Sequence, residues 1–364
     1  MVAVPGNDEV IRTLEPLLAH AKEGRVGYFI GLMISEHGQR MSGGWSGCHS
    51  LEKMALQAME QLMFNMNADF YNKNLPERPP GVTADRVCYN VPRSPLSYDF
   101  IVWLVDAEMT RRREGAPAPL KVGFWFGRDG KTGLEQESRA RMFDKVLRPA
   151  LALIGAVEDE TAIDGRWKDF FSARDIVAGY RNGENIPYLS PVSSPWSNHM
   201  GCVTITLREC DHFPHRNSNM DAWLKFAFHL KAQGERVVFV RDTSVAREQI
   251  DGFDICPAAS LDLDERMALY YSAKMNLFVS NGPATLGYFS DWPWMIFIPI
   301  EGDDSGYMPN TAKFWSESAG IEVGTQFPWC RRDQRIVWQP DTYENLVAAW
   351  DDVYSSEAHS VAAE

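Results

Sequence analysis

The sequence predicts an α/β protein: two doubly wound parallel-sheet domains preceded by a small α+β module. Three observations predict it. Short apolar runs at 203–207, 237–240 and 275–279 each end in polar or small residues, and runs without polar alternation suit strands buried on both faces, as in parallel sheets. Helix-period segments lie between the runs, and strand–helix–strand order with short joins implies right-handed crossovers. The chain has 364 residues, 45% of them hydrophobic and 12% aromatic, more than one domain holds and enough for ample core.

Taken in order, residues 1–75 form the α+β module. A helix is expected over 8–22, with Ile11, Leu14 and Leu18 on one face, then a hairpin around His37-Gly38, then a helix over 51–64. The methionines Met54, Met59, Met63 and Met66 would suit an adaptable binding surface, but at helical spacing they read as core. Gly43-Gly44-Trp45-Ser46-Gly47 has no following Lys-Ser/Thr and reads as a hairpin end, not a phosphate loop. Residues 76–97, with Pro79-Pro80-Gly81, read as a linker.

The first α/β domain spans 98–195. It is expected to hold a helix, or a strand running into a helix, over 98–113, a strand over 121–126, a helix over 138–154 carrying Met142, Val146 and Ala150 on a face, and a short helix over 175–180. Residues 187–195 are proline-punctuated and extended, a hinge into the second domain, 196–364. There the helix after the first strand places Met220, Trp223, Leu224, Ala227 and Phe228 on one stripe. Ser218 or Asn219 serves as its N-cap and Gly234 as its stop. A further helix opens near Asp264 with Met267, Tyr270 and Tyr271 on a stripe.

Charge and cysteine usage narrow the function classes. The net charge is −13, the opposite of the broad basic surface that a nucleic-acid polymer demands. A small phosphorylated ligand is still served by a few arginines in a cleft. Six cysteines occur without a Cys-x-x-Cys pair, so reduced thiols and no structural zinc are expected. Acidic residues near the N-terminus argue against a secretory leader, and no apolar run reaches the roughly 20 residues of a membrane helix. A cytoplasmic protein is the expectation.

In open α/β sheets ligands bind beyond the carboxyl ends of the strands, so Arg208, Arg241-Asp242 and the Ser280-Asn281-Gly282-Pro283 turn should converge on one crevice. Arg208 opens a loop that ends in Arg216-Asn217 at a helix start; arginine supplies bidentate donors for phosphate oxygens. Gly282 permits close backbone approach and Pro283 is preorganised for a first helical turn, leaving the amides around Ala284 and Thr285 to face an anion. His212, His215, Asp211 and Glu209 share the Arg208 loop, and Asp211 and His215 are the candidate general bases. The acidic loop Asp303-Asp304-Ser305-Gly306-Tyr307 reads as solvated. Asp262-Leu263-Asp264 opens a helix instead of closing a strand, so no metal-dependent site is indicated.

The span 203–289, from the strand ending in Arg208 to the Val279-Ser280-Asn281-Gly282-Pro283 turn and its helix, resembles the carboxyl-terminal donor-binding domain of GT-B glycosyltransferases. The turn is similar to the Ser-Gly-Pro turn of heptosyltransferases. Arg208 is similar in place to the arginine with which bacterial fucosyltransferases grip the donor diphosphate. The chain departs from both groups: Val279 stands where heptosyltransferases have an acid, no histidine follows within 284–289, and Thr206-Leu207 precede Arg208 in place of a His-x-Arg-Arg pattern. Donor identity stays open. The resemblance implies two Rossmann-like domains in the GT-B arrangement and metal-independent sugar transfer, as in building cell-surface polysaccharide. The donor would be a nucleotide-diphosphate sugar, a substrate and not a permanently bound cofactor. Acceptors would be a glycan or a protein, and residues 1–75 are available to a protein partner. A sugar-nucleotide epimerase and a non-catalytic scaffold of the same fold are the alternatives.

Overall fold

The computed structural model describes residues 83–91, 94–126, 134, 137–164, 166–167, 173–192, 199–210, 214–300 and 311–361. The elements expected within 1–75 and the loop 303–307 lie outside the described residues. Two sheets, all of whose pairings are parallel, make up the remainder.

The first sheet comprises β1 (Arg86–Asn90), β2 (Lys121–Trp125), β3 (Val157–Glu158) and β4 (Arg166–Trp167), in the order β3-β2-β1-β4. Strand β1 falls inside the stretch expected to be a linker, yet it is paired on both sides, Cys88 with Gly123 and with Trp167. The flanking prolines mask its apolar run Val87-Cys88-Tyr89, which is buried and so satisfies its backbone in the sheet. Helix α1 (Asp99–Arg113) follows, with every residue from Phe100 to Met109 buried. The buried stretch includes the acids Asp106 and Glu108, and Glu108 is paired with Arg111 and Arg112 of the last turn.

Helices α2 (Glu137–Met142) and α3 (Arg148–Leu153) are joined by a π turn over Phe143–Leu147. Pro149 has no N–H for the Lys145 carbonyl, and the helix widens there to accommodate it. Helix α4 (Ala173–Arg181) completes this half. The connecting strand of chain bonds to both halves: Leu189 donates its N–H to Phe289 at 2.8 Å and Ser190 to Leu153 at 2.9 Å.

The second sheet is built of β5 (Val203–Thr206), β6 (Val237–Val240), β7 (Asp254–Ile255), β8 (Met275–Val279), β9 (Trp294–Phe297) and β10 (Gln334–Val337), in the order β10-β9-β8-β5-β6-β7. Counted from β5 as first, this is 3-2-1-4-5-6 read from the β7 edge, the order of a doubly wound nucleotide-binding sheet. Its helices are α5 (Met220–Ala232), α6 (Pro257–Leu261), α7 (Leu263–Ser272), α8 (Ala284–Tyr288), α9 (Ala312–Phe314) and α10 (Tyr343–Val361), with a π turn at Trp315–Ala319.

Asn219 caps α5, accepting from the Ala222 N–H at 3.3 Å, and Gly234 ends it at φ +88°. The buried stripe of α5 is Ala222, Trp223, Phe226, Ala227 and Leu230, not the expected set. Phe226 faces Trp350 of α10 at 6.1 Å, while Phe228, 53% exposed, lies over Phe253 at the surface. Likewise Met267 and Tyr270 of α7 are buried but Tyr271 turns to solvent. Tyr270 and Tyr271 lie about 100° apart on their helix, and Phe226 and Phe228 about 200° apart on theirs, so only one of each pair can face the core.

Pro76–Glu364 forms one compact unit. One apolar core runs from α1 and the first sheet through to the near face of the second sheet, and another fills the space under α5 and α10. Within the second sheet Thr204 and Asn276 meet side chain to side chain at 2.6 Å, and the Asn276 amide donates to the carbonyls of Tyr270 and Pro293. The buried polar groups at the sheet centre are thereby satisfied.

Candidate functional site

Strands β5 and β8 are neighbours at the point where the order of the second sheet reverses, and ligand crevices in such sheets open there. A cavity of about 360 Å³ lies beyond their carboxyl ends. Arg208, Arg216, Ser280, Asn281, Gly282 and Thr285 line one side of it, and Ser97 and Asp99 from the start of α1 line another. A third side is aromatic: Tyr288, Phe314, Trp315 and Phe327. Six of the sequence-derived candidates are thus brought together.

Arg208 is held rather than free to swing. Its N–H donates to Ser218 Oγ at 2.8 Å, Ser218 returns an N–H to its carbonyl at 2.9 Å, and its Nη1 donates to Asn217 Oδ1. Asn217 also exchanges bonds with the backbone of Cys210, so its part is to brace the loop that carries the arginine. Arg216 donates Nη2–H to the carbonyl of Ser280 at 2.9 Å.

The turn after β8 differs from expectation. The Ala284 N–H donates to Asn281 Oδ1 at 3.1 Å and the Thr285 N–H to the Gly282 carbonyl at 3.1 Å, so the first-turn amides are satisfied within the turn. A Cβ added at Gly282 would lie 3.1 Å from the Tyr98 ring; the close approach that glycine permits is to this aromatic. Pro283 is the N-cap residue of α8. Thr285 Oγ1 donates to the carbonyls of Gly282 and Tyr98 at 2.8 and 3.2 Å.

Arg241 and Asp242 sit outside the cavity lining. Arg241 grips both carboxylate oxygens of Glu209 and donates Nη1–H to the Glu248 carbonyl at 2.9 Å, and Asp242 accepts the Glu209 N–H at 2.9 Å. These contacts tie the ends of β5 and β6 to each other, and the Glu209 carboxylate raises the pKa of Arg241. Asp211 lies outside the described residues, and His215 is placed only as backbone in a 3₁₀ turn, Pro214–Arg216.

Asp99 is the functional candidate that the sequence reading missed. It is half-buried, and burial raises its pKa, against the opposing pull of the Ser97 hydroxyl, which donates at 2.9 Å, and the Arg216 charge. In sequence it is one acid in a helical first turn, where acids are ordinary; only the fold places it on one cavity with Arg208 and Arg216. Nearby, burial and the Asp99 charge raise the pKa of the Tyr288 phenol. Among the described residues no group of three or more His, Cys, Asp or Glu is placed to hold a metal ion, and no helix is long and apolar enough to cross a membrane.

The fold and site define a doubly wound α/β protein with an anion-suited crevice between its two halves. No protein-family model and no curated protein matches the chain. Among solved structures it is similar to an iron-containing dodecameric glycosyltransferase of enterotoxigenic E. coli, at 16% identity and TM-score 0.44 over 76% of this chain and 77% of that one. It is also similar to the E. coli ADP-heptose LPS heptosyltransferase II, at 11% identity and TM-score 0.42 over 75% and 99%. A glycosyl transferase family 9 protein of Veillonella parvula matches at 10% identity and TM-score 0.38 over 73% and 95%.

Proposed function

We propose that the protein transfers a sugar from a nucleotide-diphosphate donor to a hydroxyl-bearing glycan or protein acceptor, without a resident metal. The observation that carries this reading is that Arg208, Arg216 and Asp99 line one cavity at the switch point of the second sheet. Two guanidiniums suit the diphosphate, whose negative charge grows as the bond to the sugar breaks, and fixed cations aimed at developing charge are the strongest form of such catalysis.

Asp99 is the base in this reading. Its carboxylate takes the proton of the acceptor hydroxyl; the oxygen bonds to the anomeric carbon; the bond from that carbon to the diphosphate oxygen breaks, and its electron pair leaves with the diphosphate. A raised pKa brings a carboxylate closer to the basicity this step needs. Asp211 and His215, on the Arg208 loop, are the alternative bases, and an Asp99→Asn variant that keeps its turnover would transfer the role to them.

Calorimetry with ADP, GDP and UDP tests the reading. One nucleotide should bind, and Arg208→Ala should weaken it about tenfold to a hundredfold, the worth of hydrogen bonds to a charged group. Wild-type protein that binds none of them at millimolar concentration is a scaffold, not a transferase. Sugar isomerisation with release of nucleotide in the absence of any acceptor would indicate an epimerase.

A further inference from the structure

We propose that Tyr98 and Arg266 form a clamp between the two halves that positions Asp99 against the arginine side of the cavity. The inference rests on the transfer reading given above. Tyr98 immediately precedes Asp99 and is the N-cap residue of α1, so wherever its backbone is fixed the carboxylate follows. Three contacts from the second half fix it. The ring lies against Gly282, where no Cβ fits without displacing it. The Arg266 guanidinium sits 5.5 Å from the ring centroid. The Tyr98 carbonyl accepts the Thr285 hydroxyl at 3.2 Å.

Arg266 is an expensive residue to use for packing alone. It is only 4% exposed, makes no ion pair among the described residues, and its Nε has no hydrogen-bond partner. It is held by the Tyr270 hydroxyl at 3.0 Å and the Ser260 carbonyl at 3.4 Å, with the Tyr270 ring centroid 5.9 Å away. Tyr270 in turn bonds Thr206 Oγ1 at 2.7 Å, at the end of β5. Asp242 acts on Arg266 through space but makes no ion-pair contact with it, and a buried charge is commonly less stabilising than an apolar side chain of its size. What it supplies here is a flat cation against a ring face, connected through Tyr270 to the strand that leads into Arg208. The clamp therefore links Asp99 to the frame that carries the phosphate-binding arginine, and Tyr98 and Arg266 act through Asp99 as positioning residues.

The geometry is tested first without substrate, by crystal structures of the wild type, Tyr98→Leu and Tyr98→Phe. Leucine keeps an apolar body but loses the flat face; phenylalanine keeps the face. The Asp99 carboxyl should move by about 1 Å or more relative to Arg208 in the leucine variant and stay in place in the phenylalanine variant; a displacement of that size costs on the order of a hundredfold in rate. An unmoved Asp99 in Tyr98→Leu overturns the clamp whether or not the protein is a transferase. In turnover of the nucleotide sugar whose nucleotide the wild type binds, Tyr98→Leu and Arg266→Met should lose about a hundredfold in kcat. Their nucleotide affinity should stay within about threefold, a difference under 1 kcal/mol, and Tyr98→Phe should retain wild-type kcat. Joint loss of affinity and kcat in both variants would mark collapse of the site and also overturn the proposal, whereas absence of nucleotide binding by the wild type counts against the transfer reading alone.

Discussion

Arg216 donates its Nη2–H to the carbonyl of Ser280 at 2.9 Å, across 64 residues of chain. One guanidinium thus joins the loop after β5 to the turn after β8, the two strand ends between which the crevice opens. It bonds the turn there, and its side chain lines the cavity.

Arg216→Lys separates those two duties. A lysine can bond the carbonyl or meet a ligand, but its single ammonium lacks the planar fork that does both. If the transfer reading holds, affinity for a nucleotide diphosphate should fall by about 1.5 to 3 kcal/mol, measured by calorimetry, with the melting temperature nearly unchanged.

Asp99→Asn should lower turnover by about 10² to 10⁴, the usual contribution of a general base. Its effect on stability has the opposite sign. Because the folded pKa is raised above the ordinary value of 3.8, the folded state binds the proton more tightly, and Asp99 erodes stability as pH rises through its folded pKa. Urea unfolding should find the asparagine variant more stable than wild type at pH 7 and close to it well below pH 3.8, where both states are protonated. A variant less stable at pH 7 would contradict this.

Arg241→Ala should cost about 1 to 3 kcal/mol in urea unfolding, since it strands the mostly buried Glu209 carboxylate. Replacing both partners with apolar residues of similar size, Glu209→Leu with Arg241→Met, should recover most of that loss. Recovery would assign the pair to holding β5 and β6 together.

Phe226 and Phe228 test the rotated stripe of α5. Phe226→Ala removes a fully buried ring and should cost about 3 to 5 kcal/mol. Phe228→Ala, at a half-exposed position, should cost about 1 kcal/mol or less. Equal losses in thermal unfolding would contradict the packing.

The strands of the second sheet were legible because a parallel strand buried on both faces leaves an uninterrupted apolar run, as at Val237–Val240. Arg208 and the Gly282 turn followed from the rule that such sheets bind ligands at their carboxyl ends. Strand β1 was not legible, since prolines on both sides outweighed three apolar residues. Asp99 was hidden for a different reason: its burial and its closeness to Arg216 are products of tertiary packing. So was the use of Gly282, which the sequence marks as a site of close approach without saying to what. The helical faces of α5 and α7 were found in kind but misaligned, because aromatics one or two residues apart satisfy more than one stripe and only the packed partners choose between them.

The hydroxyl–amide contact of Thr204 with Asn276 spans 72 residues, and in the described sheets each strand is hydrogen-bonded only to parallel neighbours. No tight hairpin can start such an assembly, because parallel partners need long crossovers before their ladder forms. The central layer is therefore assembled from segments remote in sequence, and a nascent chain cut short of Met275 would leave β5 with an open flank suited to pairing with another copy.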